Sequence, residues 1–103
     1  MTKLSLIAKL TAADGKVDEL KAALANLIEA ADEESELEVY SAHQSQDDPN
    51  VIYFFELYTS AESLQTHGKG DKMKPAMAAM GGLLAGRPEV TLLDPIVAKG
   101  LDI

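Results

Sequence analysis

The run Val51-Ile52-Tyr53-Phe54-Phe55-Glu56-Leu57-Tyr58 is rich in β-branched and aromatic residues, has no Gly or Pro, and reads as a strand. Its two faces are Val51/Tyr53/Phe55/Leu57 and Ile52/Phe54/Glu56/Tyr58, and both are apolar apart from one carboxylate. Immediately before it, Gln46-Asp47-Asp48-Pro49-Asn50 is a dense turn signal, and residues 37–45 alternate as a second strand. Two strands joined by so short a loop predict an antiparallel hairpin. Immediately after it, Thr59-Ser60-Ala61-Glu62 has the form of a capping box, which predicts a short helix ending near Gly68.

Farther out, residues 3–11 alternate, with Leu4, Leu6, Ala8 and Leu10 opposite Ser5, Ile7 and Lys9. Val17, Leu20, Leu24, Leu27, Ile28 and Ala31 then recur at helical spacing, predicting a helix from Lys16 to Glu34. On the other side, Met73, Ala76, Met77, Met80 and Leu84 repeat helically. Pro75 requires this second helical piece to begin between Asp71 and Lys74, and Gly86 and Pro88 end it. A last strand, Glu89–Leu93, precedes Pro95. The order β-α-β-β-α-β is that of a ferredoxin-like α+β fold, a four-stranded antiparallel sheet with its helices on one face. The domain is expected to span residues 1–95, followed by an apolar tail over 96–103.

Such a sheet leaves its second face to water, where one row of each strand should be polar. Here neither row of the Val51–Tyr58 strand is polar, and Ile7, Val90/Leu92 and Leu93 extend this two-sided apolar pattern. A chain of 103 residues has few ways to hide so large an apolar surface. Two copies packed sheet to sheet, a dimeric α+β barrel, would cover it, with the tail after Pro95 reaching across to the partner. The alternative is a monomer whose loops fold over the sheet.

Composition narrows function. The chain is 47% hydrophobic and 25% charged, as folded proteins are, and its net charge of -8 argues against nucleic acid or an anionic membrane as a partner. Without Cys there are no disulfides, thiolate metal sites or Cys nucleophile, and two His leave little for a zinc site. No signal-peptide pattern opens the sequence, so a cytoplasmic location is expected.

The natural place for a ligand is the gap between sheet and helices. Glu56, between Phe54 and Tyr58 on its face, must be paired or have a raised pKa. A strand-end acid beside a helix start is also a routine electrostatic fit, so the first reading is a structural acid anchoring the next helix or pairing with a Lys or Arg. His67 falls on the buried face of the short helix, where an imidazole is either a base or a satisfied half-buried residue closing the helix. His43, at the hairpin, reads as solvent-facing. Tyr40, Tyr53 and Tyr58 each carry a hydroxyl on an apolar body, and the stripe Met73/Met77/Met80 is core packing or an adaptable wall for a flat ligand. Lys69, Lys72 and Lys74 form a basic cluster that is a solvated face or an attractor for an anion.

The run from Tyr53 to His67, a strand ending in aromatic-Glu-x-aromatic and a capped helix with His eleven residues after the Glu, resembles the antibiotic biosynthesis monooxygenase domain. Gly82-Leu83-Leu84-Ala85-Gly86-Arg87-Pro88-Glu89-Val90, Asp14-Gly15-Lys16-Val17-Asp18-Glu19-Leu20 and Asp47-Asp48-Pro49 are similar too. The likeness runs from about Leu4 to Pro95. It differs at Glu34-Ser35-Glu36, where the family often has Glu-Pro-Gly, a departure read as affecting only the turn. It also lacks the second His of isomerase-like members, having Asp71-Lys72-Met73-Lys74, and the axial His of haem-degrading ones, having Met77.

The resemblance implies a homodimer that oxygenates a quinol or polycyclic phenol with O₂ and without metal, flavin or haem. His67 would be base or orienting group and Glu56 its electrostatic partner. Tyr40, Phe54, Tyr58, Met73, Met77 and Met80 would bind substrate, with Tyr40 or Tyr58 donating a hydrogen bond. Two alternatives use the same pocket: a non-catalytic dimeric binder of a small apolar ligand, and an isomerase or decarboxylase employing His67.

Overall fold

The computed structural model describes residues 2–103. Strands β1 (Leu4–Thr11), β2 (Leu37–Gln44), β3 (Val51–Tyr58) and β4 (Glu89–Leu93) form one sheet in the order β2-β3-β1-β4, antiparallel throughout. Helices α1 (Val17–Ala30), α2 (Ala61–Thr66) and α3 (Met73–Ala78) accompany it, which is the ferredoxin-like α+β arrangement the element order predicts. Among the described residues no helix is long and apolar enough to cross a membrane.

Cross-strand register decides what faces the helices. Tyr40, Glu56 and Leu6 lie in one row across β2, β3 and β1, and Ala42, Phe54 and Ala8 in the next. On this inner face α1 buries Leu20, Leu24, Leu27 and Ala30 against the sheet, as its helical periodicity requires. A bulge between Leu37 and Val39 breaks the simple alternation of β2. Leu37 therefore joins Tyr58 and the buried face, while Val39 pairs with Leu57 on the other.

Two helices are shorter than their apolar patterns predict. The first ends at Ala30 rather than Glu34, and Ala31–Glu33 tighten into a 3₁₀ turn. Acidic residues 32–34 fall at the negative pole of α1, where they weaken further helix, and the Glu33 and Glu34 side chains are used elsewhere. The last helix stops at Ala78 instead of reaching Gly86. Gly81-Gly82 are poor helix formers, and the chain beyond them is drawn to the end of β1. There Ala13 N–H donates to Leu83 O and Ala85 N–H to Thr11 O, each at 2.8 Å.

On the outer face Ile7 is 40% and Tyr53 39% exposed, whereas Leu57 is 1% exposed. The tail accounts for the difference. It returns over its own sheet, where Pro95, Ile96, Val97 and Leu101 line a hollow with Phe55 and Leu57, and Lys3 Nζ donates to Asp102 O. One end of the apolar outer face is thus covered within the chain, and the rest is open.

Candidate active site

Between the inner face and the helices lies a cavity of about 410 Å³ that runs across the sheet. Its floor is apolar, made by Leu6, Ala8, Leu10 and Phe54, and Met77, Met80 and Leu84 face it from the helical side. Tyr40, Glu56 and His67 form the polar end, under β2 and β3. At the other end Pro88 and Val90 line it beside β4, which carries no helix, so Val90 and Leu92 are 56% and 58% exposed. The polar end and the β4 edge are three strand spacings apart, about 14 Å. No lysine or arginine among the described residues lines this cavity.

His67 is the first residue beyond α2 rather than part of it, with backbone φ −59° and ψ 132°. The helix is capped one residue later than expected: Ser60 Oγ accepts from Ser63 N–H at 3.3 Å. Thr59 Oγ1 instead donates to Glu36 Oε1 at 3.1 Å, as does Ser63 Oγ at 2.8 Å. Gly68 follows at φ +84°, a conformation that suits glycine, and a Cβ there would also collide with Met77 Sδ. This turn aims the imidazole back at the sheet.

The ring is held on several sides. His67 Nδ1 is 2.7 Å from Glu34 Oε1, and the Gly68 N–H donates to the other oxygen, Glu34 Oε2, at 3.3 Å. Nε2 lies 3.8 Å from Glu56 Oε1. Tyr40 and Tyr58 meet the ring edge-on, with centroids 5.4 and 5.6 Å away.

Glu56 is 6% exposed and accepts a 2.5 Å hydrogen bond from the Tyr58 hydroxyl. Burial pushes its carboxyl above the ordinary 4.5, with Glu34 adding to the rise, against the Tyr58 hydrogen bond and His67, which oppose it. Burial likewise raises both Tyr40 and Tyr58 above the usual tyrosine range, reinforced by Glu56, so their hydroxyls remain proton donors. Chemically, the site combines an imidazole with one nitrogen against a carboxylate, a second carboxyl biased toward its neutral form, and an apolar chamber.

Six residues picked from the sequence converge on this cavity: Tyr40, Phe54, Glu56, His67, Met77 and Met80. Tyr58 is wholly buried and touches the site behind its lining, through Glu56 and the edge of the His67 ring, and Met73 sits within the core at 0% exposure, away from the cavity lining. Lys69, Lys72 and Lys74 are exposed and line none of it, and His43 is solvent-facing, 3.0 Å from Ser41 Oγ. The residue missed is Glu34. The departure at Glu34-Ser35-Glu36 is not confined to the turn, because Glu34 holds His67 and Glu36 holds α2. A run of acids just before a strand is the only signal the sequence offers.

The sequence matches a protein-family model described as antibiotic biosynthesis monooxygenase over residues 4–79. Among solved structures, it is similar to a protein from Caulobacter crescentus described as a candidate antibiotic biosynthesis monooxygenase. The two are 30% identical, with a TM-score of 0.84, over 93% of this chain and 92% of that one. A candidate of the same description from Chloroflexus aurantiacus is 26% identical, with a TM-score of 0.84, over 98% of this chain and 100% of that one. A Nitrosomonas europaea protein of unknown function is also 26% identical, with a TM-score of 0.83, over 99% and 97%. No curated protein matches significantly.

Proposed function

The chain belongs to the antibiotic biosynthesis monooxygenase family, and from that premise we propose that it oxygenates a quinol or polycyclic phenol with O₂, using no metal, flavin or haem. One observation carries the reading: Nε2 of His67 and Oε1 of Glu56, 3.8 Å apart, meet at the polar end of an apolar cavity. That gap accommodates a ligand hydroxyl about 2.8 Å from each atom.

His67 removes the hydroxyl proton: the O–H bond breaks, an N–H bond forms at Nε2, and the electron pair stays on oxygen. Glu56, in its neutral form, donates to the resulting oxyanion. The electron-rich ring anion then reduces O₂ directly. One oxygen atom enters the ring carbon as a carbonyl, and the other leaves as water with the hydroxyl hydrogen and the hydrogen of that carbon. The substrate supplies all the electrons. Because Glu34 and Glu56 flank the polar end and, among the described residues, no lysine or arginine lines the cavity, the favoured substrate is uncharged. Exposed Ile7 and Tyr53 support a homodimer that pairs two outer sheet faces.

Oxygen uptake with a panel of naphthoquinols and anthrones tests the reading. The native protein should consume O₂, and His67→Ala should lower the rate about 10²–10⁴-fold. A panel that leaves O₂ untouched favours a ligand binder, and turnover without O₂ favours an isomerase or decarboxylase.

A further inference from the structure

We propose that Glu34 is the positioning residue that makes Nε2, and not Nδ1, the proton-accepting atom of His67; the catalytic meaning of this rests on the function proposed above. A neutral imidazole has one N–H and one bare nitrogen, and whichever neighbour accepts the N–H decides which nitrogen is left. His67 has two competing acceptors on opposite sides: Glu34 Oε1 at 2.7 Å from Nδ1 and Glu56 Oε1 at 3.8 Å from Nε2. The first distance is that of a charge-assisted hydrogen bond, and the second is too long for a hydrogen bond. The proton therefore resides on Nδ1 and the lone pair on Nε2, which faces the cavity.

Glu34 is itself fixed. Its second oxygen accepts from the Gly68 N–H at 3.3 Å, so the carboxylate grips the His67–Gly68 turn at two points. The Glu34 and His67 side chains are 13% and 11% exposed, which limits screening by solvent. All the titratable groups that face the ring work with this arrangement. Tyr40 from β2 and Tyr58 from β3 wall it edge-on, and Glu56 lies beyond Nε2.

Glu34 does not line the cavity, so it acts on a ligand only through the imidazole. Removing it would leave Oε1 of the Glu56 carboxyl as the remaining acidic-group acceptor beside the ring. The proton would then move to Nε2, and the nitrogen facing the ligand would no longer be a base.

The test uses protein labelled with ¹⁵N-histidine in a His43→Gln background, which leaves one ring to observe. Long-range ¹H–¹⁵N correlation spectra identify the protonated nitrogen. In the parent protein the Nδ1–H tautomer is expected, and an Nε2–H ring would overturn the proposal before any change at Glu34 is made. Glu34→Leu should shift the ring toward Nε2–H, and Glu34→Gln, which keeps an acceptor oxygen, should restore Nδ1–H. An unchanged tautomer in Glu34→Leu, in protein with a cooperative melt, also overturns it.

With a quinol that the native protein turns over, Glu34→Leu should lower kcat at least ~10-fold while KM changes little. An equal fall in affinity would count against a role exerted only through His67. If no quinol is oxygenated, the functional reading fails while the tautomer assignment still stands or falls on the spectra.

Discussion

Glu56 links fold stability to the chemistry proposed above. Its carboxyl is biased toward the protonated form by burial, so the folded chain holds that proton more tightly than the unfolded chain does. The stabilisation is full below the ordinary 4.5 and is lost as pH rises through the raised value. Glu56→Gln abolishes that dependence. The variant should therefore gain on the parent as pH climbs from 4 toward 8, as read from urea midpoints; parallel curves would remove Glu56 as the cause. Tyr58→Phe deletes the donor 2.5 Å from Glu56 and should destabilise the fold by about 1–3 kcal/mol. It should also push the Glu56 carboxyl further up, visible as a later transition in a ¹³C-carboxyl titration. Tyr40 and Tyr58, raised by burial, should stay un-ionised in alkaline absorbance titration until the chain unfolds.

At the scale of elements, three acids from one short connection hold the helical layer. Glu33 accepts from the N–H groups of Lys72 and Met73 at 3.0 and 2.8 Å and so caps α3, Glu34 grips His67 and Gly68, and Glu36 ties Thr59 and Ser63 of the α2 start. Gly70 lies against the Glu33 carboxylate, where a Cβ would overlap it. Gly70→Ala should displace that carboxylate and lose about 1 kcal/mol, close to Glu33→Ala. The double variant should lose little more than either alone, and full additivity in chemical denaturation would separate the two effects. The strands and the core of α1 were legible because burial on one face imposes a period of two or of 3.6. The elements that seat the site were not. Glu34 and His67 are 33 positions apart, and no local period links a turn acid to a ring that far along the chain. The Ser60 cap and the early end of α3 were misread for a related reason. Adjacent hydroxyls compete for one role, and the end of β1 captures residues whose own pattern continues a helix.

For the whole molecule, the apolar outer face is the main unresolved surface in energetic terms. Its tail-covered end buries Leu57, and deleting residues 96–103 should expose Leu57 and Phe55 and destabilise the chain by roughly 1–3 kcal/mol. Light scattering at micromolar concentration should report twice the 11.0 kDa chain mass, and Tyr53→Asp should shift it toward the single-chain value. The helix-free flank at β4 has a different consequence. With the imidazole at the polar end and exposed Val90 at the other, the guest of the proposed reaction would thread in hydroxyl first. Bulk added beside that leading hydroxyl meets packed walls, whereas a long substituent on the trailing edge projects past the rim into water. The protein should therefore be strict about the head of its guest and indifferent to the length of its tail.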